Sequence, residues 1–272
     1  MKTICFAQMK GGTGKTTISY NVACKLAEKY KVLVVDFDPQ CNTSTNFLFD
    51  IFSENPDVKT LANALDDITT DPLDIVVPSP LKELENLDLF PSTMYFYGTE
   101  ITLMSRMSGA MTMQRYMEKH PEFFNYYDYI IIDTAPSMGI INQNAFIVSD
   151  HIILVTDPDC NSAMGAHVFL KLREEARSYA KIPDNVDGLV INNVERTSLC
   201  KKMLKYVNEH ERLSKIQFKT MIPHTTRYKE CVDQNKPIHY LKMKNKRDEQ
   251  SRLKAEIAIE DLVKELAERG IL

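Results

Sequence analysis

The chain has 272 residues, 44% hydrophobic and 26% charged, with a formal net charge of −4. That length and composition suit a folded α/β protein with a sizeable core and exclude a low-complexity or disordered chain. No apolar run is long enough to span a bilayer, no basic-then-apolar leader precedes the first strand, and the cysteines at 5, 24, 41, 160, 200 and 231 form no metal spacing, so a cytoplasmic protein with reduced thiols is expected.

The first predicted element is a strand over Thr3–Ala7. The run Lys10-Gly11-Gly12-Thr13-Gly14-Lys15-Thr16-Thr17 follows it and leads into an amphipathic helix over Thr16–Tyr30. Strand, glycine-rich turn and helix N-terminus in that order make a phosphate cradle. Glycines let successive N–H groups turn inward to an anion, and the helix adds its free N–H groups and the positive end of its dipole. Lys15 supplies a mobile cation for the β- and γ-phosphates, and Thr16 places a hydroxyl for Mg²⁺. The run departs from the ordinary G-x-x-x-x-G-K-[ST] loop. Residue 9 is Met9 rather than glycine, and a second lysine, Lys10, precedes the glycine pair.

The next strand, Val32–Asp36, ends in Val34-Val35-Asp36-Phe37-Asp38-Pro39-Gln40. Two carboxylates two residues apart on an extended chain point the same way, at the strand end that faces the ligand crevice of such sheets. Residues 43–86 are the least regular. Phe47, Leu48, Phe49, Ile51 and Phe52 read as core under a loop, with a partner surface as the alternative; a helix fits Lys59–Leu65. Then come a strand over Leu87–Phe90, a helix over Glu100–His120 and a strand over Tyr129–Asp133. An apolar strand ending in a single aspartate, here Asp133, is a magnesium-holding arrangement. Helix Asn142–Val148, strand Ile152–Val155, helix Ala163–Ala180, strand Leu189–Asn192, helix Leu199–Glu211, a short strand near Thr220–Ile222 and helix Arg247–Arg269 complete the series. The alternation predicts one α/β domain over 1–272, a doubly wound, mostly parallel sheet with helices on both faces. Charge is uneven: residues 181–254 hold 17 Lys/Arg against 9 Asp/Glu. A basic region on an otherwise acidic chain suggests a face for a polyanion.

Lys10-Gly11-Gly12-Thr13-Gly14-Lys15-Thr16 resembles the deviant Walker A motif of the ParA/MinD family of P-loop ATPases. Asp36-Phe37-Asp38-Pro39-Gln40-Cys41-Asn42 is similar to the family's D-x-D-P-Q-x-N switch I. Asp133-Thr134-Ala135-Pro136-Ser137 is similar to its switch II, and Ile222-Pro223 to the turn bordering its base pocket. The resemblance covers nearly the whole chain and implies ATP or ADP bound with Mg²⁺. By it, Lys10 and Gly11 to Thr17 hold phosphate, and Thr16, Asp36 and Asp133 lie around the metal. Asn192, with Asn193 as the near alternative, reads adenine, and Pro223 borders the base. Asp38 orients or activates the attacking water. Lys10 crosses a dimer interface to the partner's nucleotide, so that Lys10, Lys15 and Asp38 form the catalytic set.

Within the family the chain resembles the short ParA form, without an N-terminal helix-turn-helix. Glu195-Arg196-Thr197 is similar to the A-R-T-N turn of ParA proteins, and Ile222-Pro223-His224-Thr225-Thr226-Arg227 to their I-P-R-N-V-R segment. In relatives the arginines matching Arg196 and Arg227 contact DNA non-specifically; Lys201, Lys202 and Lys205 lie close by and are expected to widen the patch, and His224 stands where arginine is usual. A MinD-like membrane-cycling ATPase, the alternative, ends in a basic amphipathic helix. Here Ala255–Leu266 has a largely acidic polar face that anionic lipid repels, and Leu253, Ile257, Val263 and Leu266 are expected to pack inward, which argues against a membrane partner. A reductase-type relative needs a cysteine pair at the dimer axis, and no cysteine follows Asp133 within switch II, Asp133-Thr134-Ala135-Pro136-Ser137. The resemblance therefore implies a plasmid or chromosome partition ATPase. Its ATP-bound homodimer would bind DNA non-specifically on the nucleoid, and a ParB-like centromere-binding partner would trigger hydrolysis and release.

Overall fold

Val32-Leu33-Val34-Val35 and Ile130-Ile131-Ile132 are almost wholly excluded from solvent, because strands covered on both faces need apolar side chains at every position. They lie in the middle of a sheet seen in a computed structural model of the chain. It describes residues 1–53, 55, 57–180 and 182–272; Lys181, where the basic stretch begins, lies outside the described residues. The elements run β1 (Lys2–Ala7), α1 (Lys15–Ala27), β2 (Val32–Phe37), α2 (Asn42–Asn46), α3 (Leu61–Asp66), β3 (Val77–Pro78), β4 (Leu87–Phe90) and α4 (Phe96–Ser105). They continue with α5 (Thr112–Lys119), α6 (Pro121–Phe124), β5 (Tyr129–Thr134), α7 (Ile140–Val148), β6 (His151–Thr156), α8 (Cys160–Ala180) and β7 (Val186–Val194). The last are α9 (Ser198–Glu209), α10 (Glu211–Ile216), β8 (Gln217–Pro223), α11 (Arg227–Gln234) and α12 (Lys246–Glu268). The strand order is β3-β4-β2-β5-β1-β6-β7-β8. β2 pairs parallel with β4 and β5, and β7 with β6 and β8; β3 runs antiparallel to β4. The fold is a doubly wound, mostly parallel α/β sheet.

Contacts group the residues into two compact units. In the first, residues 1–5 and 26–150, an aromatic chain fills the space beside β2 and β4. Phe37 meets Phe96 at 6.5 Å, Phe90 lies against Phe123 at 5.4 Å and Phe124 at 6.0 Å, and Tyr116 meets Phe124 at 5.8 Å. Such pairs contribute about 0.5–1.5 kcal/mol each beyond their buried area. The helix expected over Glu100–His120 is broken into α4, a 3-10 turn at Gly109–Met111 and α5. The chain folds back so tightly that a Cβ at Gly109 would sit 1.9 Å from the Leu103 carbonyl oxygen. The Arg106 guanidinium fixes the break by donating to the carbonyls of Leu65 and Asp66, each at 2.7 Å. Of the apolar residues after switch I, Phe47 is buried, whereas Leu48 and Phe52 are exposed. The chain leaves α2 there, and Leu48 takes a φ of 63°, which turns it outward.

In the second unit, residues 6–25 and 151–272, the helix expected over Leu199–Glu211 divides at His210, whose Nδ1 accepts from the Leu213 N–H and caps α10. Helix α12 buries Arg252, Ala255, Ala258, Ile259, Leu262, Glu265 and Leu266. That stripe is rotated from the expected one: Leu253 and Ile257 are exposed. Small alanines let the helix approach closely along the 255, 258/259, 262, 266 spacing. Glu265 accepts from the N–H groups of Lys219 and Thr220 in β8, both at 2.8 Å, and so blocks that sheet edge. Burial opposes its ionised form, yet those two donors and Arg269 outweigh the cost and hold its carboxyl below the usual range. A depressed carboxylate pKa stabilises the fold above the unfolded-state value, and that stability is lost as pH falls through the folded-state value. Glu265→Ala is therefore expected to cost about 2–3 kcal/mol at pH 7, a drop of roughly 4–10 °C in thermal midpoint. The gap between wild type and variant should shrink below about pH 4. Melting curves across that range check it; a gap unchanged by acid contradicts it.

Candidate nucleotide site

The phosphate loop connects β1 to α1 and belongs to the second unit. Gly12 and Gly14 have φ of 79° and 83°, a region that glycine enters without steric cost. A Cβ at Gly14 would also lie 2.1 Å from Asn192 Nδ2. Side chains from later strands and helices pin the loop. Gln8 Nε2 donates to the carbonyls of Val155 at 3.2 Å and Ser162 at 3.3 Å, while its Oε1 accepts from the Met9 N–H at 2.8 Å. Asn192, at the end of β7, donates to the Thr13 carbonyl at 2.8 Å. Lys15 is the first residue of α1 and is buried; Thr16 and Thr17 follow it half-exposed, and Gly11 and Gly12 are exposed.

Two buried polar atoms at this loop have no hydrogen-bond partner among the described residues: Thr13 Oγ1 and Asn192 Oδ1. Orphaned buried acceptors are rare in folded chains and call for a ligand or water. A hydroxyl beside the phosphate loop and an amide oxygen able to accept from an adenine amino group fit a bound nucleotide. Asn193, the near alternative, is otherwise engaged: at φ 53° it donates to Asp157 Oδ1 at 2.8 Å. Pro223 closes β8 in register with Val194.

Lys10 is turned to its own chain. Its Nζ lies 2.9 Å from Asp159 Oδ2 and 2.9 Å from Ser162 Oγ. Partial burial opposes the Asp159 charge, but the bonds from Lys10 and Ser162 prevail and keep that carboxyl below its usual range.

The carboxylates belong to the first unit. Asp36 and Asp133 are direct cross-strand partners at the ends of β2 and β5, and neither side chain reaches solvent. Asp36 accepts from Ser44 twice, from N at 2.8 Å and Oγ at 2.7 Å, and from the Asp38 N–H at 3.0 Å. Burial first, and then the Asp133 charge, push its carboxyl up to about 8. Thr43 Oγ1 donates to Asp133 Oδ2 at 2.7 Å. A pair of buried carboxylates that repel each other is a hard-oxygen set that would suit Mg²⁺, which would relieve their repulsion. No group of three or more His, Cys, Asp or Glu that could hold a metal alone occurs among the described residues. Asp38 is nearly buried; its Oδ1 accepts from the Gln40 N–H at 2.9 Å, and its carbonyl accepts from Ser92 Oγ at 2.8 Å. Cys41, at φ 56°, makes the turn into α2, and burial pushes its thiol up to about 12, which leaves it inert.

Sequence reasoning missed Gln8, Thr43, Ser44, Ser92, Asp159 and Ser162. Asp159 could have been flagged, because it follows the C-terminal end of β6, where ligands bind in such sheets. The hydroxyls carry no signal without the fold.

Of the residues expected at DNA, Arg196, Lys201 and Lys202 are exposed, on the turn after β7 and on α9. Arg227 opens α11. Its side chain is 15% exposed and bonds Glu230 at 2.7 Å, with Asp248 at 3.6 Å. Two neighbouring acids and part-burial hold its guanidinium against its own chain. No helix among the described residues is long and apolar enough to cross a membrane.

A family profile described as "AAA domain" matches residues 1–183. The sporulation initiation inhibitor protein Soj of Bacillus subtilis is 31% identical over 271 residues, which cover 99% of each chain. The chromosome partitioning protein ParA of Myxococcus xanthus is 25% identical over 248 residues, covering 90% of this chain and 83% of that one. Among solved structures, a variant of McdA from Cyanothece in complex with ATP superposes with a TM-score of 0.82 at 20% identity, over 98% of this chain and 96% of that one. The fold, the phosphate loop and these likenesses agree: the chain belongs to the ParA/Soj family of P-loop partition ATPases.

Proposed function

We propose that the chain is an ATP-driven switch for DNA partition. ATP brings two copies together, the dimer binds DNA without sequence preference, and hydrolysis, stimulated by a ParB-like centromere-binding partner, releases it. Lys15 and the loop N–H groups of Gly11 to Thr17 hold the phosphates, Asn192 and Pro223 hold the base, and Asp38 orients the attacking water. Thr16, Asp36 and Asp133 are assigned to Mg²⁺, which screens phosphate charge when bound. The basic loop and helix residues Arg196, Lys201 and Lys202 are assigned to the DNA backbone, where contact is independent of sequence.

The observation that carries this reading is Lys10. An ordinary phosphate loop has no second lysine, and here that lysine is held in its own chain by Asp159 and Ser162. Service to a partner's nucleotide requires that hold to break. Asp159→Asn weakens it. The pair is part-exposed, so the effect is modest: the protein concentration giving half-dimer in ATP is expected to fall about two- to fivefold. Light scattering measures it, with wild-type mass doubling in ATP and not in ADP. A monomer at all concentrations in ATP contradicts the proposal.

A further inference from the structure

The loop after β5, Ala135 to Gly139, is shaped by one side chain from the helix that follows it. Asn142 is the third residue of α7 and is wholly buried. Its Nδ2 donates to the Ala135 carbonyl at 2.7 Å and to the Ser137 carbonyl at 2.8 Å, with Ser137 Oγ at 3.2 Å. The Ser137 N–H donates to the same Ala135 carbonyl at 2.9 Å, closing a three-residue turn centred on Pro136. The Gly139 N–H donates to Ser137 Oγ at 3.2 Å. Helix α4 also touches the end of the loop: a Cβ at Gly139 would sit 2.8 Å from Glu100 Oε1.

The bonds from Asn142 serve the loop and not the helix. The free groups at a helix N-terminus are N–H donors, and a side chain at the third position helps the helix by accepting from them. Asn142 does the reverse and donates to carbonyls of the loop. Turned over, its amide would set Oδ1 against two carbonyl oxygens, so its orientation is fixed. That leaves Oδ1 buried with no partner among the described residues. An apolar residue here, like Ile141 or Ala145 on the same helix, would leave no such orphan. Folded chains keep departures of this kind where function needs them.

We infer that Asn142 is a positioning residue for ATP hydrolysis: by turning the Ala135 and Ser137 carbonyls toward α7, it sets the course of the chain directly after Asp133. This inference rests on the ATPase reading above. Asn142 touches no reactant and acts through the loop. A shift of about 1 Å in a group that faces the reaction lowers the rate by about 10²-fold. Lys15 and Gly11 to Thr17, assigned to the phosphates, belong to other elements, so ATP binding is expected to survive.

Two variants test it. Asn142→Ala removes the donor and leaves a gap; Asn142→Leu removes the donor and fills the space. Both are assayed well below their thermal midpoints for steady-state ATP turnover with Mg²⁺, and for hydrogen exchange in a peptide covering residues 134–139. In both, kcat is expected to fall about ten- to a hundredfold with KM within about threefold of wild type. Exchange in the loop peptide is expected to speed at least about tenfold. A lower thermal midpoint with wild-type kcat makes Asn142 merely structural and overturns the inference. A raised KM at wild-type kcat places it in binding and also overturns it. Wild-type turnover in both variants overturns the inference alone and leaves the ATPase reading intact. Wild type that turns over no ATP overturns that reading and the inference with it.

Discussion

Lys15→Ala is expected to weaken ATP binding by about 10²–10³-fold. Lys15 stands at the first position of α1, directly after the left-handed Gly14, and its side chain is buried. A charge-assisted contact to phosphate in such a place is worth well above an exposed ion pair. Taking away one side of a buried charge interaction costs about 3–5 kcal/mol, and each 1.4 kcal/mol is a factor of ten. The loop N–H groups and the helix dipole remain in the variant, so binding is weakened rather than erased. Titration with a fluorescent ATP analogue reads the loss directly. Affinity within threefold of wild type would mean that this lysine does not meet the phosphates.

The second large effect separates chemistry from binding. Asp38→Ala should lower the ATP hydrolysis rate by about 10²–10³-fold, the range for a positioned base or water-orienting group. ATP affinity should change less than about threefold. The local structure supports that split. Asp38 Oδ1 is spent on the Gln40 N–H, and Oδ2 accepts no hydrogen bond among the described residues, which leaves it for a water. The turn is held through the backbone, by Ser92 Oγ and the Cys41 N–H on the Asp38 carbonyl, and these bonds survive the substitution. Single-turnover hydrolysis and equilibrium binding on the same preparation give both quantities. A wild-type rate in the variant would remove Asp38 from the reaction.

Much of this was legible in the sequence. The strand over Leu87–Phe90 was expected within those bounds, and the strands over 32–36 and 129–133 each extend by one residue. Continuous apolar runs leave little choice where both faces are covered. The phosphate loop was legible because its residue types and order are dictated by one anion. What escaped depends on contacts far apart in the chain. The break at Gly109 comes from the Leu103 carbonyl and from Arg106 reaching back to Leu65 and Asp66. Helix α11 was missed, with three charged residues in its first four and few apolar ones to mark a face. The two-residue β3 is too short to show a pattern. The in-chain hold on Lys10 and the hydroxyl supports of Asp36 and Asp133 join residues about 150, 8 and 90 positions apart. The pairing of Arg227 with Glu230 and Asp248 was not legible either, because Asp248 lies 21 positions further on.

The central claim is that nucleotide state controls attachment to DNA. The most direct measurement is the affinity of the wild-type chain for a random-sequence duplex in ATP and in ADP, at one salt concentration. The account predicts binding at least about tenfold tighter in ATP, a coupling of roughly 1.4 kcal/mol or more. Equal affinity in the two nucleotides would contradict it.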